Sequence, residues 1–152
     1  MDTAECEEIL SRAMVGRVGT VGAGGMPYIL PMNFYYDASS RTVILHHTTT
    51  GHLLDNLAQS ASACFEVDEP GPIVATGIQA CDTSQLYRSV ICFGWARIVD
   101  EEAGKMDALR ALVHKYVDNL TPDRHYNPEL TGVGKTTVIA LKVEVMTGKK
   151  RI

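Results

Sequence analysis

Three histidines and three threonines lie within seven residues near the middle of this 152-residue chain. The segment 46–52 reads His-His-Thr-Thr-Thr-Gly-His, and the spacing of the leucines in 53–57 behind it predicts a short helix. Free backbone N–H groups at a helix start, the positive end of the helix dipole and hydroxyl side chains together suit a phosphate monoester. A simple helix cap at Thr50 or Gly51, with solvated histidines, explains the same residues equally well.

The histidines of this segment also invite a metal site, because imidazole is a common ligand of transition metals. A closed site needs further ligands, and only Asp55 stands nearby in the sequence. We therefore predict no metal site from these residues.

The segment 132–137, Gly-Val-Gly-Lys-Thr-Thr, looks like the end of a nucleotide-binding P-loop. The full motif requires a glycine five residues before Gly134, where this chain has Glu129, and a helix directly after it. Apolar residues instead alternate from Ile139 to Val145, which predicts a strand. We interpret the segment as a turn that leads into the last strand.

Pro31 lies in the middle of a strand-like stretch, residues 27–36. Because proline donates no ladder hydrogen bond, such a strand lies at a sheet edge, bulges, or leaves backbone groups for something other than a neighbouring strand. Edge protection alone is one explanation, and a bound planar heterocycle is another. Together with the candidate phosphate segment, the open edge suits flavin mononucleotide (FMN), whose ring has an amide-like edge and whose tail ends in phosphate.

The composition predicts one domain, residues 1–152, with a sizeable core, because 45% of the residues are hydrophobic and the net charge is only -4. These values exclude a disordered chain and argue against nucleic acid as the main partner. No apolar run approaches the roughly 18 residues of a membrane span. The acidic start shows no signal peptide, and four cysteines without a CxxC pair predict reduced thiols, so we expect a cytoplasmic protein.

Hydrophobic periodicity divides the chain into about six strands and three helices. The predicted strands are 17–21, 27–36, 42–47, 61–68, 87–99 and a last one around 139–145. A helix is predicted to end near Gly16, a second to follow Gly51 and a third to span about 100–119. We expect residues 69–72 to end a strand and residues 77–86 to form a loop. Mostly consecutive strands favour a β-barrel or a curved antiparallel sheet with outer helices over a doubly wound α/β fold.

The first helix carries its own start signal. Asp2 or the threonine after it can cap the helix, and Glu5 is placed to complete a capping box with Asp2. Ile9, Leu10 and Met14 supply the predicted apolar stripe.

Several short motifs occur in an ordered series along the chain. They are Gly-Arg-Val-Gly-Thr at 16–20, Pro-Tyr at 27–28, Pro-Met-Asn-Phe-Tyr-Tyr at 31–36, His46 five residues before Gly51, Ala-Cys-Phe-Glu-Val-Asp at 63–68, and Tyr-Arg-Ser-Val at 87–90 leading to Gly94. This series resembles the pyridoxamine-phosphate-oxidase-like flavin proteins, and within them the Nim-type nitroimidazole-resistance branch. The match runs from about Gly16 to Tyr116, and the ordered co-occurrence is more specific than any single motif.

The resemblance implies a mainly β protein, an antiparallel split β-barrel of the Greek-key type with peripheral α-helices, that forms a homodimer with FMN at the subunit interface. The backbone expected at the flavin ring edge is that of Pro31, Met32, Asn33 and Phe34. The phosphate is expected near Thr48, Thr49, Thr50, Gly51, His52 and Leu53, and His46 and His47 are also expected to bind the cofactor. Arg88 and Ser89 are expected to reach the site from the partner chain. His46 is the side chain nominated as catalytic, and a packed strand-end histidine is the alternative.

The resemblance also implies an FMN-dependent reductase of small planar acceptors such as nitroimidazoles and other nitroaromatics. One departure weakens the expected phosphate site, since family members usually carry a basic pair where this chain has His52 and Leu53. A non-catalytic flavin- or haem-binding protein, with His46 or His47 as an axial ligand, is the alternative. Pyridoxamine-phosphate oxidation is a third, disfavoured because no arginine cluster is evident.

Overall fold

In the residues that the computed structural model describes, 1–118 and 133–152, seven antiparallel strands form one sheet with three α-helices around it. The strands are β1 (Gly16–Val21), β2 (Pro27–Met32), β3 (Phe34–Asp37), β4 (Thr42–His47), β5 (Ser62–Ala75), β6 (Thr83–Ile98) and β7 (Thr137–Arg151). The helices are α1 (Thr3–Arg12), α2 (His52–Gln59) and α3 (Glu102–Val113). None of these described helices is long and apolar enough to cross a membrane.

The two edges of the sheet are consecutive in the sequence. Neighbouring strands follow the order β2-β1-β5-β6-β7-β4-β3, so β2 and β3 are the edges, yet only Asn33 separates them. The sheet must therefore curve until its edges meet at this residue, which makes a barrel that is joined at one point and split elsewhere. This confirms the predicted split β-barrel, and the β1–β5 and β7–β4 pairs are its non-consecutive, Greek-key neighbours.

The prediction of a single strand over residues 27–36 was wrong in one respect. The segment forms two strands, β2 at one edge of the sheet and β3 at the other. β2 pairs with β1, whereas β3 pairs with β4. Both run in the same direction, so the extended chain passes from one edge to the other at Asn33 without reversing. Pro31 does lie on an edge strand, as its missing N–H predicts.

The predictions for the middle of the chain were wrong in part. We expected a break at 69–72, but β5 passes through this segment. Of the loop expected at 77–86, residues 77–82 do lie between strands, and β6 begins at Thr83. A register shift between Pro70 and Ile73 accommodates the prolines. β1 pairs with β5 only at residues 64–66 of β5. Within the described residues, the rest of β5, including its prolines, has no strand on the β1 side, so a proline there removes no hydrogen bond of the ladder.

Helix α1 contributes to the main core inside the barrel. It begins with the predicted capping box, in which the Asp2 carboxylate accepts from the Glu5 N–H at 2.8 Å and the Glu5 carboxylate accepts from the Asp2 N–H at 3.1 Å. Ile9 and Leu10 are buried in the main core. Met14 is half exposed instead, because the helix ends at Arg12 and the stripe does not reach it.

Helix α3 packs on the outside of the barrel. Its Ala108 and Leu109 lie against a second, smaller core of Val99, Val138 and Ala140. The predicted helix 100–119 is confirmed as a helix that continues from α3 into a π-helix, His114–Asp118. Its predicted end lies outside the described residues.

The P-loop-like segment is a turn before the last strand, as predicted. Val133–Lys135 forms a single 3-10 turn, and β7 follows it directly. Gly132 lies outside the described residues. All four cysteines are unpaired, with Cys92 fully buried and Cys64 partly exposed.

Gly94 sits where the backbones of β6 and β7 come close together. A Cβ on this residue would lie 1.8 Å from the Lys142 carbonyl oxygen, and the register of the two strands shifts at this point. We expect Gly94→Ala to lower the free energy of unfolding by at least about 1–3 kcal/mol, because a backbone carbonyl cannot rotate away as a side chain can. Gly134→Ala is the matched control, since no described atom lies within 4 Å of its ideal Cβ. Equal urea midpoints for the two variants would contradict this prediction.

Candidate functional site

The end of β2 and the end of β4 line an open cavity of about 340 Å³, which we call the seam cavity. Its lining residues are Leu30, Pro31, Met32, Asn33, His46, His47 and Thr48. These two strands are not hydrogen-bonded neighbours, and they meet because the sheet edges converge at Asn33. The fold thus brings together the proline-containing strand and the histidine-threonine segment, which the sequence analysis singled out separately.

A free sheet edge borders the seam cavity. β2 is paired only with β1, so alternate backbone groups of β2 point away from the sheet. Pro31 has no N–H, and the Phe34 N–H donates to the Tyr116 hydroxyl at 2.8 Å. Met32 is opposite Gly16 in the hydrogen-bonded series of β1–β2 pairs, so its N–H faces β1. Within the described residues, the N–H of Asn33 is the remaining donor of the predicted ring-edge segment.

Two predicted site residues could contribute to a site only through their backbone. The side chains of Phe34 and Leu53 are fully buried in the main core. The Phe34 ring packs edge-on against Phe65, with the ring centroids 4.7 Å apart. Neither side chain can therefore face a ligand.

The loop between β4 and α2 is held by its own hydrogen bonds. The Thr48 hydroxyl donates to the Thr50 carbonyl at 2.8 Å, and His47 Nδ1 lies 3.2 Å from both the Thr48 carbonyl and the Thr48 hydroxyl. Because the hydroxyl proton is already donated, these contacts assign a proton to Nδ1 of His47 and leave Nε2 as an acceptor in the neutral ring. Gly51 ends the loop at φ 136°, a conformation that side chains rarely adopt.

Helix α2 begins without a side-chain cap. Its N-cap residue is Gly51 and not Thr50, so the first-turn N–H groups from His52 to Leu54 have no capping side chain. The preceding Thr49 and Thr50 are exposed, and within the described residues their hydroxyls make no hydrogen bond. The helix start therefore presents unpaired N–H groups and hydroxyls close together in the chain.

Buried contacts fix α2 to the barrel. Asn56 Nδ2 donates to Thr20 Oγ1 of β1 at 3.0 Å, and both side chains are buried. On the exposed side of the helix, the His52 ring lies 5.9 Å from the Tyr28 ring of β2, centroid to centroid. The position of the helix start relative to β2 is thus set by the core.

The three histidines of the segment have separate surroundings. His46 is exposed and lines the seam cavity, whereas His47 is bonded within the loop and His52 lies beside Tyr28. In residues 1–118 and 133–152, no group of three or more His, Cys, Asp or Glu side chains could hold a metal ion.

Arg88 and Ser89 lie away from the seam cavity within one chain. They are on β6, opposite Lys150 and Lys149 of β7, and Arg88 lines a separate cavity of about 280 Å³. Their contribution from a partner chain stays a prediction.

A further cavity of about 410 Å³ lies on the outer surface of the sheet. Five exposed apolar side chains line it and define what we call the outer apolar face: Val21, Ile29, Phe93, Trp95 and Val145. Ile29 is 66% exposed and Trp95 is 52% exposed, both high values for large apolar side chains. Contiguous exposed apolar surface of this kind marks an interaction or ligand site.

This surface was not predicted, because residues 87–99 were identified from the sequence only as a strand, with no face assigned. Val90 and Cys92 do face the core, but Phe93 and Trp95 are exposed on the other side. A strand with one face in water alternates apolar and polar residues, whereas residues 90–96 carry no polar or charged side chain apart from Cys92. That uninterrupted run was the available signal.

A partly buried amine lies beside the sheet edge. Lys115, in the π-helix, has its Nζ 3.7 Å from the centroid of the Phe34 ring and donates to the Leu10 carbonyl at 3.4 Å. Burial lowers the pKa of Lys115 to about 8. The cation–π contact favours the charged amine, but the loss of hydration opposes it more strongly.

We expect Lys115 to make stability rise with pH. The native amine loses its proton near pH 8, whereas the unfolded amine keeps it to about 10.5, so the unfolded chain binds more protons between these values. The free energy of unfolding, relative to that of Lys115→Met, should therefore increase across this window. Urea denaturation of both proteins at several pH values measures it, and a difference that does not change with pH would be the opposite result.

The solved structures that resemble this chain include the following three. A candidate 5-nitroimidazole antibiotic resistance protein from Bacteroides thetaiotaomicron is 26% identical, with a TM-score of 0.80 over 97% of this chain and 82% of that one. A flavocytochrome from Azotobacter vinelandii is 23% identical, with a TM-score of 0.82 over 99% and 68% of the two chains. An FAD and haem binding protein from Mycobacterium smegmatis is 22% identical, with a TM-score of 0.81 over 98% and 71%. No curated protein matches the sequence.

The similarity to the last two structures shows the fold alone. A family-level match, in contrast, covers nearly the whole sequence. A model of the family described as pyridoxamine 5'-phosphate oxidase matches residues 2–150. The likeness to the Bacteroides protein agrees with the predicted similarity to the nitroimidazole-resistance branch. This chain belongs to the pyridoxamine 5'-phosphate oxidase family.

Proposed function

We propose that this protein, as one domain over residues 1–152, is an FMN-binding oxidoreductase that reduces small planar acceptors such as nitroimidazoles. The observation that carries the proposal is the seam cavity, in which an open strand edge lies beside the segment leading into the uncapped start of α2. Membership of the pyridoxamine 5'-phosphate oxidase family supports a flavin, as do the flavocytochrome and the FAD and haem binding protein among its structural neighbours.

The residues at the seam cavity fit the ring of FMN. The N–H group of Asn33 and the outward carbonyls of β2 suit the amide-like edge of a flavin ring. Pro31 leaves the edge without one donor and prevents another strand from pairing there. This end of the cavity would orient the ring.

The start of α2 fits a phosphate. The free hydroxyls of Thr49 and Thr50 and the first-turn N–H groups provide hydrogen bonds, and the helix dipole adds favourable potential. Leu53 is buried in the core, so of the two positions that usually carry basic residues in the family only His52 could supply a side-chain donor.

We also propose a homodimer with FMN at the subunit interface. The seam cavity is open, and an enclosed site for a drug-sized ligand buries most of its surface, so a second wall is needed. The outer apolar face carries Phe93 and Trp95, residue types enriched in interfaces. In a two-fold symmetric dimer, the outer apolar face would cover the seam cavity of the partner. Arg88 and Ser89 lie on β6, the same strand as Phe93 and Trp95, and would approach that cavity with it.

When bound, FMN would supply two-electron reducing chemistry, so the chain needs few acid–base groups. The chain's own residues would bind and orient the acceptor and exclude water. His46 is the candidate catalytic residue, because its exposed imidazole lines the seam cavity and can hold or give a proton there.

Absorption spectra test this function directly. We expect the purified protein, mixed with FMN and passed through a desalting column, to keep flavin absorption bands. After anaerobic reduction, a nitroimidazole should reoxidise the bound flavin faster than it reoxidises free FMN in buffer. A Soret band after mixing with haem, without flavin binding, would favour the haem-binding alternative, and binding of neither group would contradict the proposal.

Position 52 should tune FMN affinity in both directions. We expect His52→Ala to weaken FMN binding by roughly 3- to 10-fold, because one hydrogen-bond donor to the phosphate is lost. His52→Lys should strengthen binding, because a full positive charge replaces the imidazole. Fluorescence titration gives the dissociation constants. The role of His52 is ruled out when all three proteins bind FMN equally well.

A further inference from the structure

The hydroxyl of Tyr116 lies at the point where the two sheet edges meet. It accepts a hydrogen bond from the Phe34 N–H at 2.8 Å and lies 2.9 Å from the carbonyls of Phe34 and Met14, to one of which it donates its single proton. The side-chain amide of Asn33 donates to the same Met14 carbonyl at 3.0 Å. The side chains of Tyr116 and Asn33 thus connect the junction between β2 and β3 to Met14, which follows α1.

The hydrogen bonds of Tyr116 take the place of those that a neighbouring strand would make to β3. Phe34 is opposite Leu45 of β4, and both its N–H and its C=O are bonded to Tyr116, so these groups point to the free edge of β3. Phe34 is fully buried as a residue, and a buried backbone group without a partner is strongly unfavourable. The Tyr116 hydroxyl therefore holds the backbone directly after Asn33 in one conformation.

A second contact from the same element acts on the same residue. Lys115 lies over the Phe34 ring, so the π-helix His114–Asp118 contacts both the backbone and the side chain of Phe34. π-helical turns are rare and occur frequently at functional sites. This helix lies outside the sheet, yet it determines the geometry of the sheet edge.

We propose that Tyr116 is a positioning residue for the flavin site: its hydroxyl holds the backbone of Asn33 and Phe34 so that the Asn33 N–H presents a fixed donor to the edge of the ring. The proposal rests on the function proposed above. In the described residues the Tyr116 hydroxyl bonds only Phe34 and Met14, so its proposed effect on the flavin runs through the backbone that it holds.

Tyr116→Phe tests the proposal, because it removes the hydroxyl and little else. Tyr36→Phe is the matched control, since it removes a buried tyrosine hydroxyl of β3 that donates to Glu7 at 3.0 Å and not to the backbone of Asn33 or Phe34. Three quantities are measured for wild type and both variants: the dissociation constant for FMN, the reduction potential of the bound flavin, and the hydrogen-exchange rate of the Phe34 amide.

We expect Tyr116→Phe to weaken FMN binding by about tenfold, to shift the flavin potential and to accelerate Phe34 exchange, because the freed backbone no longer holds its donors in place. Tyr36→Phe should change FMN affinity by less than about twofold and leave the potential unchanged. Wild-type affinity and potential in Tyr116→Phe, with faster Phe34 exchange, would overturn the positioning role and leave the proposed function intact.

A wild-type protein that does not bind FMN would overturn the proposed function itself, so the two failures are distinguishable. If Tyr116→Phe does not fold, Tyr116→Met takes its place, because it also removes the hydroxyl that bonds Phe34 and keeps a long apolar side chain. Weaker FMN binding and a shifted potential are expected for that variant, and wild-type values would overturn the proposal.

Discussion

The structure depends on one constraint, which is that the two edges of a single sheet are joined by one residue, Asn33. Sheet edges expose unpaired backbone groups, and both edges meet at the same point. Pro31 removes one donor from this region, and the Tyr116 hydroxyl bonds both backbone groups of Phe34. Because these partners come from distant segments, the junction of the barrel is stabilised by tertiary contacts and not by strand pairing.

The same junction creates the candidate site. Converging edges bring the end of β2 next to the end of β4, and the chain continues from β4 through a glycine-terminated loop into α2. The core then fixes that helix through Leu53 and the Asn56–Thr20 hydrogen bond. The open edge of β2 and the free N–H groups at the start of α2 therefore keep fixed positions relative to each other. No charged side chain of residues 46–53 contributes to this arrangement.

Much of the fold followed from local patterns. The capping box of α1, the turn before β7 and the strand β7 itself were all predicted, because each depends on residues that are close in sequence. The predicted alternation within β7 holds at residues 141–144 but not at Ala140, which is buried, or at Val145, which is exposed. The predictions failed where the consequence of a residue depends on its neighbours in space. Pro70 was expected to end a strand, yet that part of β5 has β6 on one side only, so the proline displaces no partner.

The sequence by itself determined the elements, the family and the two segments of the candidate site, because residue type, spacing and motif order carry that information. Only the tertiary structure decided that the strand through Asn33 serves two edges, that Tyr116 bonds Phe34, and that Phe93 and Trp95 face outward. The physical reason is that pairing partners and exposed faces are set by sheet curvature. Contacts between residues more than eighty positions apart, such as Phe34 and Tyr116, leave no local pattern to read.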